Sequence, residues 1–257
     1  VNHGVSRWTE LDDGVFAATY PFLSLTVGAV VGDEGVLLVD TRSTPEEAAE
    51  LGRDLVALTS RPVRWVVNTH WHWDHCWGNA VFAHAECWGH ELTRSVLIER
   101  GEAMRSQARE WFPRERLPEL DEVEIRPPDH TFADRVSLDI GRTVELGHYG
   151  RGHTDGDVTV AVGHVLFAGD LVEESGPPAF EDAHPAVALT AEDFAADRLR
   201  AAFRRVLGGV QAESLTAAEE GQARAIINPK MIIRAPTEQG RGQLMFRPPA
   251  SVPEDVL

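Results

Sequence analysis

A chain of 257 residues is long enough to bury one sizeable hydrophobic core, so disulfide stapling is not required for stability. With 43% apolar, 25% charged and 7% aromatic residues, the composition is that of a globular protein and excludes disordered, collagenous and coiled-coil chains. The formal charge of −17, from 41 acidic and 24 basic residues, argues against nucleic acid or an anionic membrane surface as partner, because both require dense positive charge.

Along the chain, Leu23 to Asp40 reads as two β-branched strands around the turn signal Gly32-Asp33-Glu34-Gly35. Thr44 then caps a predicted helix, with Pro45 in its first position and Glu47 reaching back; Leu51, Leu55 and Leu58 form its apolar stripe, and it ends near Ser60. Val63 to Asn68 is a short buried strand, so strand, helix and strand form a parallel crossover unit. His70 to Asn79 is expected to be a loop at the carboxyl end of that strand, where open α/β sheets place ligands. Glu91 to Glu110 is helix-compatible, whereas Pro113 to Pro128, with four prolines, predicts irregular structure. Thr131 to Leu146 alternates as strands do, with a turn at Gly141, and Asp157 to Val162 pairs with His164 to Ala168 about Gly163. A helix from Thr190 to Gly208, a second from about Ala217 to Asn228, and a short hairpin of MIIRA with QLMFR complete the expectation.

The chemistry is concentrated in three places. Thr69 to Gly78, THWHWDHCWG, puts His70, His72, Asp74 and His75 within six positions directly after a buried strand. Imidazole nitrogen with carboxylate oxygen suits zinc or another borderline divalent ion. Gly147 to Asp157, GHYGRGHTDGD, surrounds His153 with glycines that let the backbone approach an ion closely. VLFAGDLV ends an apolar strand on Gly169-Asp170, where a carboxylate is placed to bridge two cations.

Taken in this order, the HxHxDH run, GHTxGD and the strand-terminal AGD resemble the metallo-β-lactamase fold superfamily over roughly Trp8 to Pro185. The resemblance implies an α/β protein, a four-layer αβ/βα sandwich, with residues 1–185 as metal-binding core and 186–257 as an atypical helical region and tail packed on the same domain. It assigns His70, His72 and His153 to a first metal, Asp74 and His75 to a second, and Asp170 to both. Asp40, at the end of GVLLVDT, would support the metal loop from behind its ligands, and Asp74 would also orient a metal-activated hydroxide and shuttle a proton. Relatives supply one more histidine to the second metal. Here the last histidine is His184, in the acidic, proline-rich loop EDAHPA and not in a glycine-flanked turn; it is the first candidate for that place, and otherwise the second site keeps only Asp74, His75 and the shared Asp170.

The resemblance therefore implies a zinc-dependent hydrolase, with one or two ions and a weakened second site, acting on a small ester, thioester, lactone or related acyl compound. Two alternatives stay open: a mononuclear Fe2+ enzyme resembling the sulfur dioxygenases, with iron on His70, His153 and Asp170, or a degenerate non-catalytic metal-binding member. Trp65, Trp71, Trp73 and Trp77 either pack the metal loop or wall a substrate pocket. Cys76 and Cys87 are too few for a disulfide framework, Val1 to Glu10 lacks the pattern of a secretory signal, and no apolar run reaches transmembrane length, so the expected address is the cytoplasm. The expected partner is a small-molecule substrate; the oligomeric state is open.

Overall fold

In a computed structural model, the structure describes residues 7–171 and the backbone of Ala225–Ile227 and Met231–Ile233. The first sheet holds β1 (Trp8–Asp12), β2 (Val15–Thr19), β3 (Thr26–Val31), β4 (Val36–Val39), β5 (Val63–Val67), β6 (Glu86–His90) and β7 (His130–Phe132), in that order. The second is antiparallel: β8 (Arg135–Asp139), β9 (Thr143–Gly147), β10 (Thr159–Val162) and β11 (Val165–Phe167). Helices α1 (Pro45–Leu58), α2 (Trp73–Cys76), α3 (Glu91–Ala108) and α4 (Leu117–Asp121) lie between strands of the first sheet.

β1 to β4 pair antiparallel, whereas β4, β5, β6 and β7 run parallel, the change being made by the α1 crossover. α1 begins as the sequence predicts: Thr44 accepts from the Glu47 N–H at 3.3 Å. The Glu47 carboxylate reaches back to the Ser43 N–H instead of that of Thr44. The four residues of β4 are all buried, because each face meets a core. Leu37 and Val39 join Val67, Leu146, Val160 and Phe167 between the sheets, while Val36 and Leu38 join Leu51, Leu55 and Val66 beneath α1. A third cluster packs Trp71, Cys76 and Trp77 against Leu97, Met104, Ala108 and Leu120 of α3 and α4. Helix, sheet and sheet are thus three layers among the described residues; the Thr190 helix and the junction at Pro185 lie outside them.

Several expectations need correction. The His70–Asn79 segment contains the helical turn α2, and the proline-rich stretch contains a 3-10 turn at Arg114–Arg116 and α4. The expected strand from Leu23 starts only at Thr26, since Leu23 and Ser24 adopt left-handed backbone at φ 56° and 52°. Ala225–Ile227, within the segment expected to be helical, is β12 and pairs antiparallel with β13 (Met231–Ile233). MII is therefore a strand as expected, with AII as its partner.

Candidate metal centre

The parallel register sets the carboxyl ends of β4 and β5 side by side, with Val39 opposite Val67, so Asp40 lies against the Thr69–His70 segment. His153 lies in the connection from β9 to β10, and Asp170 follows β11. Four strand ends thus supply Asp40 and every described residue that the resemblance assigns to the metals.

Asp40 organises one side of the site. Its Oδ1 accepts from the Thr69 N–H at 2.8 Å, and its Oδ2 accepts from Thr69 Oγ1 at 2.7 Å and from His75 Nδ1 at 2.8 Å. A Thr69 hydroxyl that donates to a carboxylate has only lone pairs left, so the contact to His70 Nδ1 at 3.0 Å is a hydrogen bond donated by the ring. The consequence is shared by both rings. His70 carries its hydrogen on Nδ1 and turns an Nε2 lone pair toward the site; His75 is tied at Nδ1 in the same way, so a cation in the site would meet its Nε2 lone pair.

His70 Nε2 lies 3.0 Å from His72 Nδ1, and His153 Nε2 lies 2.8 Å from the same atom. Once His70 Nε2 is an acceptor, no single hydrogen on His72 Nδ1 can serve both neighbours; three nitrogens converging in this way match a cation better than a proton. A second group, His70, His75 and Asp170, offers donor atoms all within 4.8 Å of one another. Asp170 faces both groups, with Oδ1 at 3.4 Å from His75 Nε2 and Oδ2 at 3.8 Å from His153 Nε2. Asp74 Oδ2 lies 3.6 Å from His75 Nε2. His75 Nε2 and Asp170 Oδ1 are buried and face each other at 3.4 Å without forming a hydrogen bond of good geometry, there or elsewhere. Such atoms are costly to leave unmatched in a folded protein, and a divalent ion would satisfy both. The donor set therefore fits a metal ion.

Electrostatics points the same way. Burial, reinforced by His75, His72 and His153, holds His70 well below its ordinary pKa and hence neutral. Burial would raise Asp170, but His75, His153 and His72 outweigh it and keep it below the usual carboxylate range. Burial would lower His75, yet Asp170, Asp74 and Asp40 hold it well above its ordinary value. Three carboxylates around one imidazole make a region that favours positive charge. Asp74 itself is raised, first by burial and then by Asp170.

Residue by residue, the structure brings His70, His72, Asp74, His75, His153 and Asp170 into one cleft with Asp40 behind it. His184 lies outside the described residues. Sequence reasoning missed Thr69, which relays Asp40 to His70. It also missed Asp157, whose carboxylate accepts from the Thr154 N–H and Oγ1 at 2.7–3.0 Å and folds the His153 loop on itself. Burial pushes the Asp157 carboxyl up to about 7, with those hydrogen bonds opposing. The Thr-x-x-Asp spacing was the available signal for it.

Among the tryptophans, Trp71 and Trp77 are core residues, Trp65 is half-buried between the sheets, and Trp73 rests against Phe22 and Phe112. Cys76 and Cys87 are buried free thiols. Burial pushes Cys87 up to about 12, and the Cys76 Sγ–H donates to the Trp71 and His72 carbonyls.

The sequence profile of the Metallo-beta-lactamase superfamily matches residues 21–209. The chain belongs to the metallo-β-lactamase superfamily. The match runs beyond Pro185, where the resemblance read from the motifs stops. A metallo-beta-lactamase from Pontibacter korlensis shares 23% identity with this superfamily member, at a TM-score of 0.57 over 74% of this chain and 85% of that one. One from Hirschia baltica is 18% identical, with a TM-score of 0.55 over 74% and 84% of the two chains. One from Erythrobacter litoralis, solved with beta mercaptoethanol in its active site, is 20% identical, with a TM-score of 0.53 over 77% and 86%. No match is found among curated protein sequences. At these identities the solved structures establish the fold, and this metallo-β-lactamase superfamily chain has the α/β sandwich that its motifs imply.

Proposed function

We propose that this protein is a metal-dependent hydrolase of a small ester, thioester, lactone or related acyl compound. One observation carries the reading: two converging donor groups share His70, the two carboxylate oxygens of Asp170 face His75 in one and His153 in the other, and Asp74 stands beside His75 at the partly open side of the cleft. His70, His72 and His153 would hold a first ion, His75 and Asp74 a second, with Asp170 shared. When bound, such an ion supplies Lewis acidity, polarising a carbonyl and making water nucleophilic near neutral pH.

The chain's own residues do the rest. Asp40 and Thr69 keep the Nε2 lone pairs of His70 and His75 aimed into the cleft. Asp74, beside His75 and partly open to solvent, accepts a proton from the attacking water and returns it to the leaving group. Trp73, adjoining Asp74 and packed on Phe22 and Phe112, offers an apolar wall for the acyl part. The net charge of −17 favours a small-molecule substrate over nucleic acid. No helix among the described residues is long and apolar enough to cross a membrane. Two free, buried thiols fit the reducing cytoplasm as the site of action.

The test is metal content and stoichiometry on protein purified without added metal, followed by turnover of thioester and lactone panels. Zinc with turnover that Asp74→Ala abolishes supports the proposal. A fully loaded protein inert on every acyl substrate overturns it. One equivalent of iron with oxygen uptake on a persulfide would instead assign a dioxygenase.

A further inference from the structure

A second pair of imidazoles, neither of them a donor in the groups above, lies at the base of the loop that carries His153. His148 follows β9 directly, and its ring stacks on that of His90 with centroids 4.0 Å apart and planes at 29°. Both nitrogens of His90 are committed. Nδ1 accepts from the Leu92 N–H at the start of α3 (3.2 Å), so Nε2 carries the hydrogen and donates it to the Ala133 carbonyl at 2.9 Å. Burial and the neighbouring His148 hold His90 below its ordinary pKa, which keeps the capping lone pair available. A buried ring tied at both nitrogens is a rigid platform.

On that platform His148 closes a loop. Its backbone N–H donates to the Asp134 carbonyl (2.8 Å), and its Nδ1–H donates to the Asp157 carbonyl at 2.8 Å, so the residue entering the loop holds the residue leaving it. Further ties fix the exit: Thr93 Oγ1 donates to the Gly156 carbonyl at 3.2 Å, and the Val158 N–H to the Thr69 carbonyl at 2.6 Å. Gly156 permits this approach, since a Cβ there would stand 2.9 Å from Thr93 Oγ1. His153 rides on the closed loop, and its Nε2 must meet His72 Nδ1 within a few tenths of an ångström for three donors to share one ion.

We propose that His148, seated on His90, is a positioning residue whose hydrogen bond to the Asp157 carbonyl sets the place of His153 and thereby the metal affinity of the three-histidine group. The inference rests on the metal-site reading above and adds a latch to it. Partners outside the ligand shell commonly change metal affinity by about 10–100-fold when lost, because they fix ligand orientation.

Three variants of the full chain separate hydrogen bond from ring: His148→Asn keeps an N–H near the Nδ1 position, His148→Phe keeps a stacking ring without it, and His148→Ala keeps neither. Zinc affinity is read by competition with a chromophoric chelator, and ligand geometry by the visible spectrum of the cobalt-substituted protein, both well below each variant's melting temperature. The expected result is zinc binding within about threefold of wild type for Asn, and about tenfold weaker with altered cobalt bands for Phe and Ala. Should the Ala variant fail to fold, the Phe and Asn pair decides. Wild-type affinity and spectrum in Phe, or equal weakening in Phe and Asn, would overturn the latch. If the unmodified protein itself takes up no zinc or cobalt, the metal-site reading falls and the latch with it.

Discussion

Asp40 ends β4 in left-handed backbone, φ 66°, a conformation that non-glycine residues adopt rarely and aspartate more readily than most. That turn brings a buried carboxylate beneath both Thr69 and His75, where it accepts three hydrogen bonds and sets two imidazole tautomers at once. Asp40→Asn retains the volume but leaves only one acceptor oxygen, so either Thr69 or His75 must face an N–H. Zinc affinity is expected to fall by roughly 10–100-fold, with a stability loss of about 1–3 kcal/mol. A chelator competition showing wild-type affinity in Asp40→Asn would remove Asp40 from the proposed site. Residue identity at the ligands was legible because HxHxDH compresses four donors into six positions. Thr69 was not, because a threonine after a strand has many uses and its relay role exists only once β4 and β5 are in register. Glycine freedom is similarly silent until the fold is known: Gly169 takes φ 55°, and a Cβ there would come within 2.7 Å of Thr69 Oγ1.

At the scale of elements, local signals were strongest where capping and periodicity agree. α1 has Thr44, Pro45 and Glu47 at its start and a leucine stripe on its buried face, and the structure reproduces it to within two residues of the expected end. Thr44→Ala removes the cap and also the hydrogen bond that Thr44 Oγ1 donates to Glu119, so it is expected to cost about 1 kcal/mol or somewhat more. For a domain of this size that is a drop of roughly 2–4 °C in melting temperature, with Thr44→Ser close to wild type. An unchanged calorimetric melting temperature in Thr44→Ala would show that the cap contributes nothing. By contrast, β1 and β6, like β2, were not read from the sequence. Trp8–Asp12 buries only Trp8 fully, and Glu86–His90 is short and contains a glycine, so neither shows the alternation that marks a strand. Both owe their conformation to the neighbouring strand, through pairings that no local window contains.

For the whole molecule, two sheets close over a shared core and deliver four strand ends to one cleft, and the charges delivered there repel one another. Asp40, Asp74 and Asp170 surround His75, while four imidazoles crowd within ring-centroid distances of 4.1–4.8 Å of a neighbour. A core built this way is stabilised by whatever cation satisfies the orphaned His75 Nε2 and Asp170 Oδ1, and removing that cation leaves buried polar atoms unmatched. By mass action, free metal at 100 times its dissociation constant adds about 2.7 kcal/mol to the folded state. Calorimetry on the full chain is therefore expected to show a melting temperature roughly 5–10 °C lower after exhaustive chelation, restored by zinc and insensitive to magnesium, whose preference for all-oxygen ligation the histidines do not meet. Equal melting temperatures with and without chelator, in protein shown to carry metal beforehand and with free metal well above its dissociation constant, would mean that the ion binds the unfolded chain as tightly as the folded one, because any preference for the folded state must raise its stability. The four converging strand ends would then not be its site, and the cleft would have to offset its own repulsion through Asp40, Thr69 and the closed His153 loop.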